Sequence, residues 1–201
     1  MLLFFALSCF AAAALGSVVV YQRGAQHRLA TPDGTARLPP RSDIALPPRP
    51  EPTLETLQLG DVVLEGHDDY VVVGTISYRE EQDAWSVHIL DAGVTRRFLE
   101  VKSQRGVVSV ALLDAVDDAP FHGQLGAGLT YRNHPLMLEA RGDARIQASG
   151  ESDGRAGGTL RYARYAGPGG ALLLVEEHAA RKRALYGHTV SSSSLTIYPH
   201  A

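Results

Sequence analysis

The sequence predicts an all-β, mostly antiparallel domain carried behind one N-terminal transmembrane helix. Three observations predict it: an uncharged apolar opening, a following stretch in which prolines and arginines erase any hydrophobic period, and then many short apolar runs separated by tight turn signals. At 201 residues, 45% hydrophobic and 20% charged, the chain is neither collagen-like nor disordered in composition. Its single cysteine allows no internal disulfide and no thiolate zinc cluster. With 19 basic against 22 acidic residues, it lacks the positive excess that contact with nucleic acid requires, so no nucleic-acid partner is expected.

The first element runs over residues 1–22. No charged side chain occurs from Met1 to Gln22, and Leu2 to Tyr21 is apolar apart from Ser8, Gly16 and Ser17. At about 1.5 Å per residue such a helix reaches about 30 Å, the hydrocarbon thickness of a bilayer. A cleaved signal peptide is the competing reading, because Ala14-Leu15-Gly16 offers small residues for cleavage. Against it, no Lys or Arg precedes the run, and Val18, Val19 and Val20 carry it past the cut. A lipid-modified Cys9 is weaker still, since too little precedes it; within a bilayer Cys9 reads as a small apolar residue. Arg23, Arg28, Arg37, Arg41 and Arg49 all follow the segment, so the positive-inside rule places the N-terminus outside and the rest of the chain in the cytoplasm.

Residues 23–53 read as a linker. Pro32, Pro39, Pro40, Pro47, Pro48, Pro50 and Pro52 are seven of the eleven prolines, and arginines rather than apolar residues accompany them. Proline fixes φ and removes donors, so the segment is expected to be an extended, semi-rigid tether.

Residues 54–201 form the β-rich domain. The expected strands are 61–64, 70–73, 84–90, 97–101, 107–113, 129–131, 136–139, 144–146, 159–162, 171–176 and 195–198, bounded by turn signals such as Glu65-Gly66, Asp91-Ala92-Gly93 and Arg105-Gly106. The only stretch with any helical promise is 176–185, and its period is poor. The order of strand, turn and strand in 64–101 resembles that in 131–175, which suggests two similar small barrels or curled sheets.

Catalytic and metal motifs do not assemble. Gly150-Glu151-Ser152-Asp153-Gly154 matches G-x-S-x-G, yet the serine lies in a polar stretch that runs on through Gly158, without the strand before it and helix after it that a nucleophile elbow needs. A serine hydrolase is therefore the weakest reading. His67, beside Asp68 and Asp69, lies on a different loop from His122 and His134, and none share a metal-ligand spacing; no metal and no cofactor are expected. Arg181-Lys182-Arg183 reads as a solvated turn, and Arg141-Gly142-Asp143 as a chance tripeptide. The best ligand candidates are aromatic: Tyr70, Trp85, Tyr162 and Tyr165 in an acidic domain could hold a small cation such as a polyamine.

Leu59-Gly60-Asp61-Val62-Val63, the Tyr70 to Gly74 stretch, Trp85 to Leu90 followed by Asp91, Glu139-Ala140-Arg141-Gly142-Asp143-Ala144 and the closing Leu195-Thr196-Ile197-Tyr198-Pro199 carry a resemblance in their order and spacing. Together they resemble the bacterial family called domain of unknown function 4178, from about Leu54 to Pro199. The resemblance implies no enzyme activity; members often show the same layout of membrane segment, Pro/Arg-rich tether and domain. This chain departs from the family pattern at Phe98 to Lys102, which lacks a Trp and an acidic end, at Arg164-Tyr165 in place of Asp-Tyr, and at Val175-Glu176 in place of Phe-Glu. The expected function is thus a non-enzymatic interaction or accessory module of a membrane or envelope-associated complex, anchored in the membrane and bound to a protein partner that the sequence does not name.

Overall fold

The computed structural model describes residues 51–81, 83–121 and 125–200. The expected anchor, nearly all of the linker, Cys9 and His122 lie outside the described residues. Among the described residues, no helix is long and apolar enough to cross a membrane.

Eleven strands follow in chain order: β1 Val62–Glu65, β2 Asp68–Glu80, β3 Asp83–Asp91, β4 Arg96–Gln104, β5 Val107–Val116, β6 Gly128–Tyr131, β7 His134–Gly150, β8 Gly157–Ala166, β9 Ala171–His178, β10 Arg181–Val190 and β11 Leu195–Tyr198. Every pairing is antiparallel. Two four-stranded meanders, β2-β3-β4-β5 and β7-β8-β9-β10, are joined edge to edge by β5 with β10 and by β2 with β7, which closes an eight-stranded barrel. The two halves do follow the same pairing order, but they share one continuous sheet rather than forming two barrels, because each meander's open edges pair with the other's. Short β1 with β11, and β6, continue the sheet outward from β2 and β7.

The long strands change partner at bulges. Register slips at Val73 in β2 and at Glu139 in β7. Before its bulge each strand pairs with a short outer strand, β1 or β6; after it, residues 74–79 of β2 pair with residues 145–150 of β7. An extra residue also turns the side-chain alternation over. Gly74 sits at this corner, where a Cβ would lie 2.0 Å from the Glu151 carbonyl oxygen. Asp61, fully buried, accepts hydrogen bonds from the backbone N–H groups of Gln58 at 2.8 Å and His200 at 3.0 Å, tying the two ends of the domain together.

Three cores result. The barrel interior holds Ile76, Tyr78, Trp85, Val87, Ile89, Phe98, Leu113, Leu160, Leu174 and Leu185 among others. Outside the first meander, Val63, Tyr70 and Val72 pack on Leu90, Leu99 and Leu112; outside the second, Leu136 and Phe121 pack on Tyr165, Leu173 and Ala184. Central strands are therefore covered on both faces, which is why Leu172 to Val175 is a continuous apolar run and Phe98 to Val101 is buried at every position instead of at alternate ones.

Three expectations are corrected. The segments 136–139 and 144–146 belong to the single 17-residue β7, and Ala140 to Asp143 continue it rather than turning. Residues 176–185 are not helical: β9 ends at His178, a turn with left-handed Ala179 and Ala180 follows, and β10 begins at Arg181. Arg181-Lys182-Arg183 is thus strand, not a solvated turn, with Arg183 on the interior side beside Leu185.

Candidate functional site

The barrel encloses a polar cluster built from opposite walls. Tyr78, on β2 beyond the bulge, and Glu176, on β9, point inward; Arg155 enters from the β7–β8 loop, the segment that carries the G-x-S-x-G match. Tyr78 Oη donates to Glu176 Oε1 at 2.6 Å, and Arg155 Nη1 donates to Glu176 Oε2 at 2.6 Å and to Tyr78 Oη at 2.8 Å. Arg155 is 4% exposed and Glu176 1%. Burial, and then the neighbouring Glu176 charge, push the Tyr78 phenol well above its usual range. Arg183 lies with its guanidinium carbon 4.0 Å from the centroid of the Phe98 ring and its Nη1 2.7 Å from Asp153 Oδ2, an ion pair out of hydrogen-bond alignment. Burial and the adjacent Arg155 lower its pKa. Arg155 Nε and Nη2 find no acceptor among the described residues.

A second interior pair stands at the corresponding place in the other half: Glu100, 3% exposed, receives Arg164 Nη2 at 3.1 Å, and Arg164 also meets Glu139. Glu80 accepts a hydrogen bond from Tyr162 Oη. Burial, reinforced by that bond, raises the Tyr162 pKa. Trp85 stacks on Tyr78 with centroids 5.0 Å apart and packs edge-on to Tyr162 at 5.1 Å. Lys102 Nζ stands 5.6 Å from the Trp85 ring centroid, so the chain's own ammonium occupies one cation-binding position on that face.

The four aromatic candidates separate. Trp85 and Tyr162 meet inside the barrel, whereas Tyr70 is buried in the outer core of the first half and Tyr165 in that of the second. Tyr165 Oη donates to the Gly126 carbonyl at 3.0 Å. The bulge at Val73 explains Tyr70: it has the parity of Tyr78 but faces the opposite way. Among the described residues Ser152 joins no histidine; its carbonyl accepts from Arg155 N at 3.0 Å, and the His178 ring is turned to the Gly157 carbonyl at 2.9 Å. Among the described residues, no group of three His, Cys, Asp or Glu could hold a metal ion. Sequence reasoning missed Arg155, Glu176 and Arg183. The one legible signal was Glu176 closing an apolar run that is buried on both faces.

A cleft of about 340 Å³ opens on the outside of the barrel where β5 meets β10. It is lined by Arg97, Asp114, Arg132, His134, Tyr186 and His188, with Gly187 and the Pro168-Gly169 turn beside them.

The sequence matches the family described as "Domain of unknown function (DUF4178)" over residues 58–192. It is 29% identical, over 99% of its own length and 96% of theirs, to uncharacterized proteins of Mycobacterium tuberculosis and Mycobacterium bovis. No solved structure matches it. The barrel described above therefore spans a family match that runs from the segment before β1 to just past β10, and the chain belongs to the DUF4178 family.

Proposed function

We propose that this chain is a membrane-tethered, non-enzymatic interaction module of a bacterial membrane or envelope-associated complex, single-pass, with its N-terminus outside and its barrel in the cytoplasm. One observation carries the reading: the buried carboxylates of the domain are already engaged by the chain itself. Glu176 is held by Tyr78 and Arg155, Glu100 by Arg164, and Asp61 by two backbone N–H groups. A general acid or base has to be free to exchange a proton with a substrate, whereas carboxylates locked this way rigidify a scaffold. The uncharged residues 1–22 and the arginines that follow them support the tether and its orientation.

The same engagement weighs against a cation-binding barrel, because Lys102 and Tyr162 already occupy Trp85 and Glu80. Deleting residues 1–21 tests the layout. The shortened chain is expected to move from the membrane fraction to the supernatant with its near-ultraviolet dichroism intact; a product that stays in the membrane or loses that signal would refute the modular arrangement.

A further inference from the structure

We propose that the cleft at the β5–β10 seam binds a small oxyanion, a phosphate or carboxylate group, with Arg132 as its principal ligand and His134 and His188 beside it. This goes beyond the tethering role and does not depend on it. The hollow is set by strand packing: a Cβ on Gly187 would lie 2.0 Å from the Leu112 carbonyl oxygen, so β10 is drawn against β5 between the outward-facing Tyr186 and His188. Its volume, about 340 Å³, suits a small ligand.

The charges that line the cleft fall into two kinds. Arg97 is spent, with Nη1 2.6 Å from Glu65 Oε2 and Nε 3.0 Å from Asp114 Oδ1. Arg132 is not. Among the described residues no carboxylate pairs with it, and its guanidinium rests on aromatic faces, 5.6 Å from the Tyr131 centroid and 5.5 Å from that of Tyr186. Those rings meet edge to face at 4.9 Å, so the cation sits against the corner that the two make. Arg132 and Asn133 both have positive φ, +48° and +65°, in the two-residue turn joining β6 to β7, a hairpin geometry that fixes where the arginine stands. A guanidinium held over aromatic rings rather than by a carboxylate keeps N–H groups available, and its N–H fork is what grips a phosphate or carboxylate. His134, whose ring centroid is 6.4 Å from that of Tyr186, and His188 add exposed ring donors at the rim.

The test is calorimetric titration of the full-length chain, in neutral detergent, with inorganic phosphate and with malonate. Saturable binding by either is expected. Arg132→Ala should weaken it about 10-fold or more, and Arg132→Lys, which keeps the charge but not the fork, should weaken it less. Asp114→Asn should tighten it, because it removes the carboxylate facing the anion; a merely structural role for these residues would not produce opposite signs. Doping the micelles with phosphatidic acid separates the sources. Competition with phosphate makes a lipid headgroup an admissible occupant, and its absence confines the site to soluble ligands. No saturable binding of either anion, or binding unchanged in Arg132→Ala, would overturn the proposal.

Discussion

Glu176 and Arg155 meet at 2.6 Å inside the barrel, one from the wall and one from a loop that folds into it. Both are almost fully buried, so neither charge is tolerable without the other. Glu176→Gln or Arg155→Met should each cost about 3–5 kcal/mol of stability in chemical denaturation. The double variant should cost clearly less than the sum, and a simple additive result would show that the pair does not act as a unit.

Trp85 is the chain's only tryptophan, 8% exposed and stacked on Tyr78 within 10° of parallel. Its emission should therefore be blue-shifted and poorly quenched by acrylamide until the barrel opens. Trp85→Ala should destabilise by about 3–5 kcal/mol, the range for emptying a large aromatic site in a packed core.

His88 supplies the pH dependence. On β3 it faces the outer core, 3% exposed, with Nδ1 3.0 Å from Thr75 Oγ1 and Nε2 3.1 Å from Ser86 Oγ. Burial lowers its pKa from 6.5 to about 4, and the Asp61 charge opposes this only in part. The unfolded chain consequently binds a proton that the folded chain refuses between these two values. The stability contribution is fully present above about pH 6.5 and is lost as pH falls toward 4, by about 3 kcal/mol in total. Denaturation across that window should show this slope, and His88→Gln should remove it.

Gly74 tests the corner at which β2 leaves β1 for β7. Gly74→Ala places a methyl group against the Glu151 backbone and should destabilise by about 3 kcal/mol. A neutral result in thermal unfolding would mean that the two meanders are not locked there.

The all-β class and most strands were legible because central strands covered on both faces leave continuous apolar runs such as Leu172 to Val175. β10 was not, since its inward positions include Arg183 and Gly187, which carry no hydrophobic signal. Ala140 to Asp143 looked like a break because Gly142 and two charges interrupt the pattern on a strand half open to solvent. Of the four aromatic candidates, Trp85 and Tyr162 lie together inside the barrel. Tyr70 lies apart because a bulge adds one residue to β2 without marking the sequence, and Tyr165 because, three residues from Tyr162 on the unbulged β8, it falls on the other face by simple alternation. Arg155 was invisible for a different reason: a loop residue's burial is decided by the barrel it folds into.

The most direct test of the account is the topology of the full chain, read by reporters active only in the cytoplasm or only outside it, fused after Ala201, together with the mass of the mature protein. An uncleaved, membrane-bound chain whose C-terminus lies in the cytoplasm is expected. A shortened chain with an external C-terminus would contradict it.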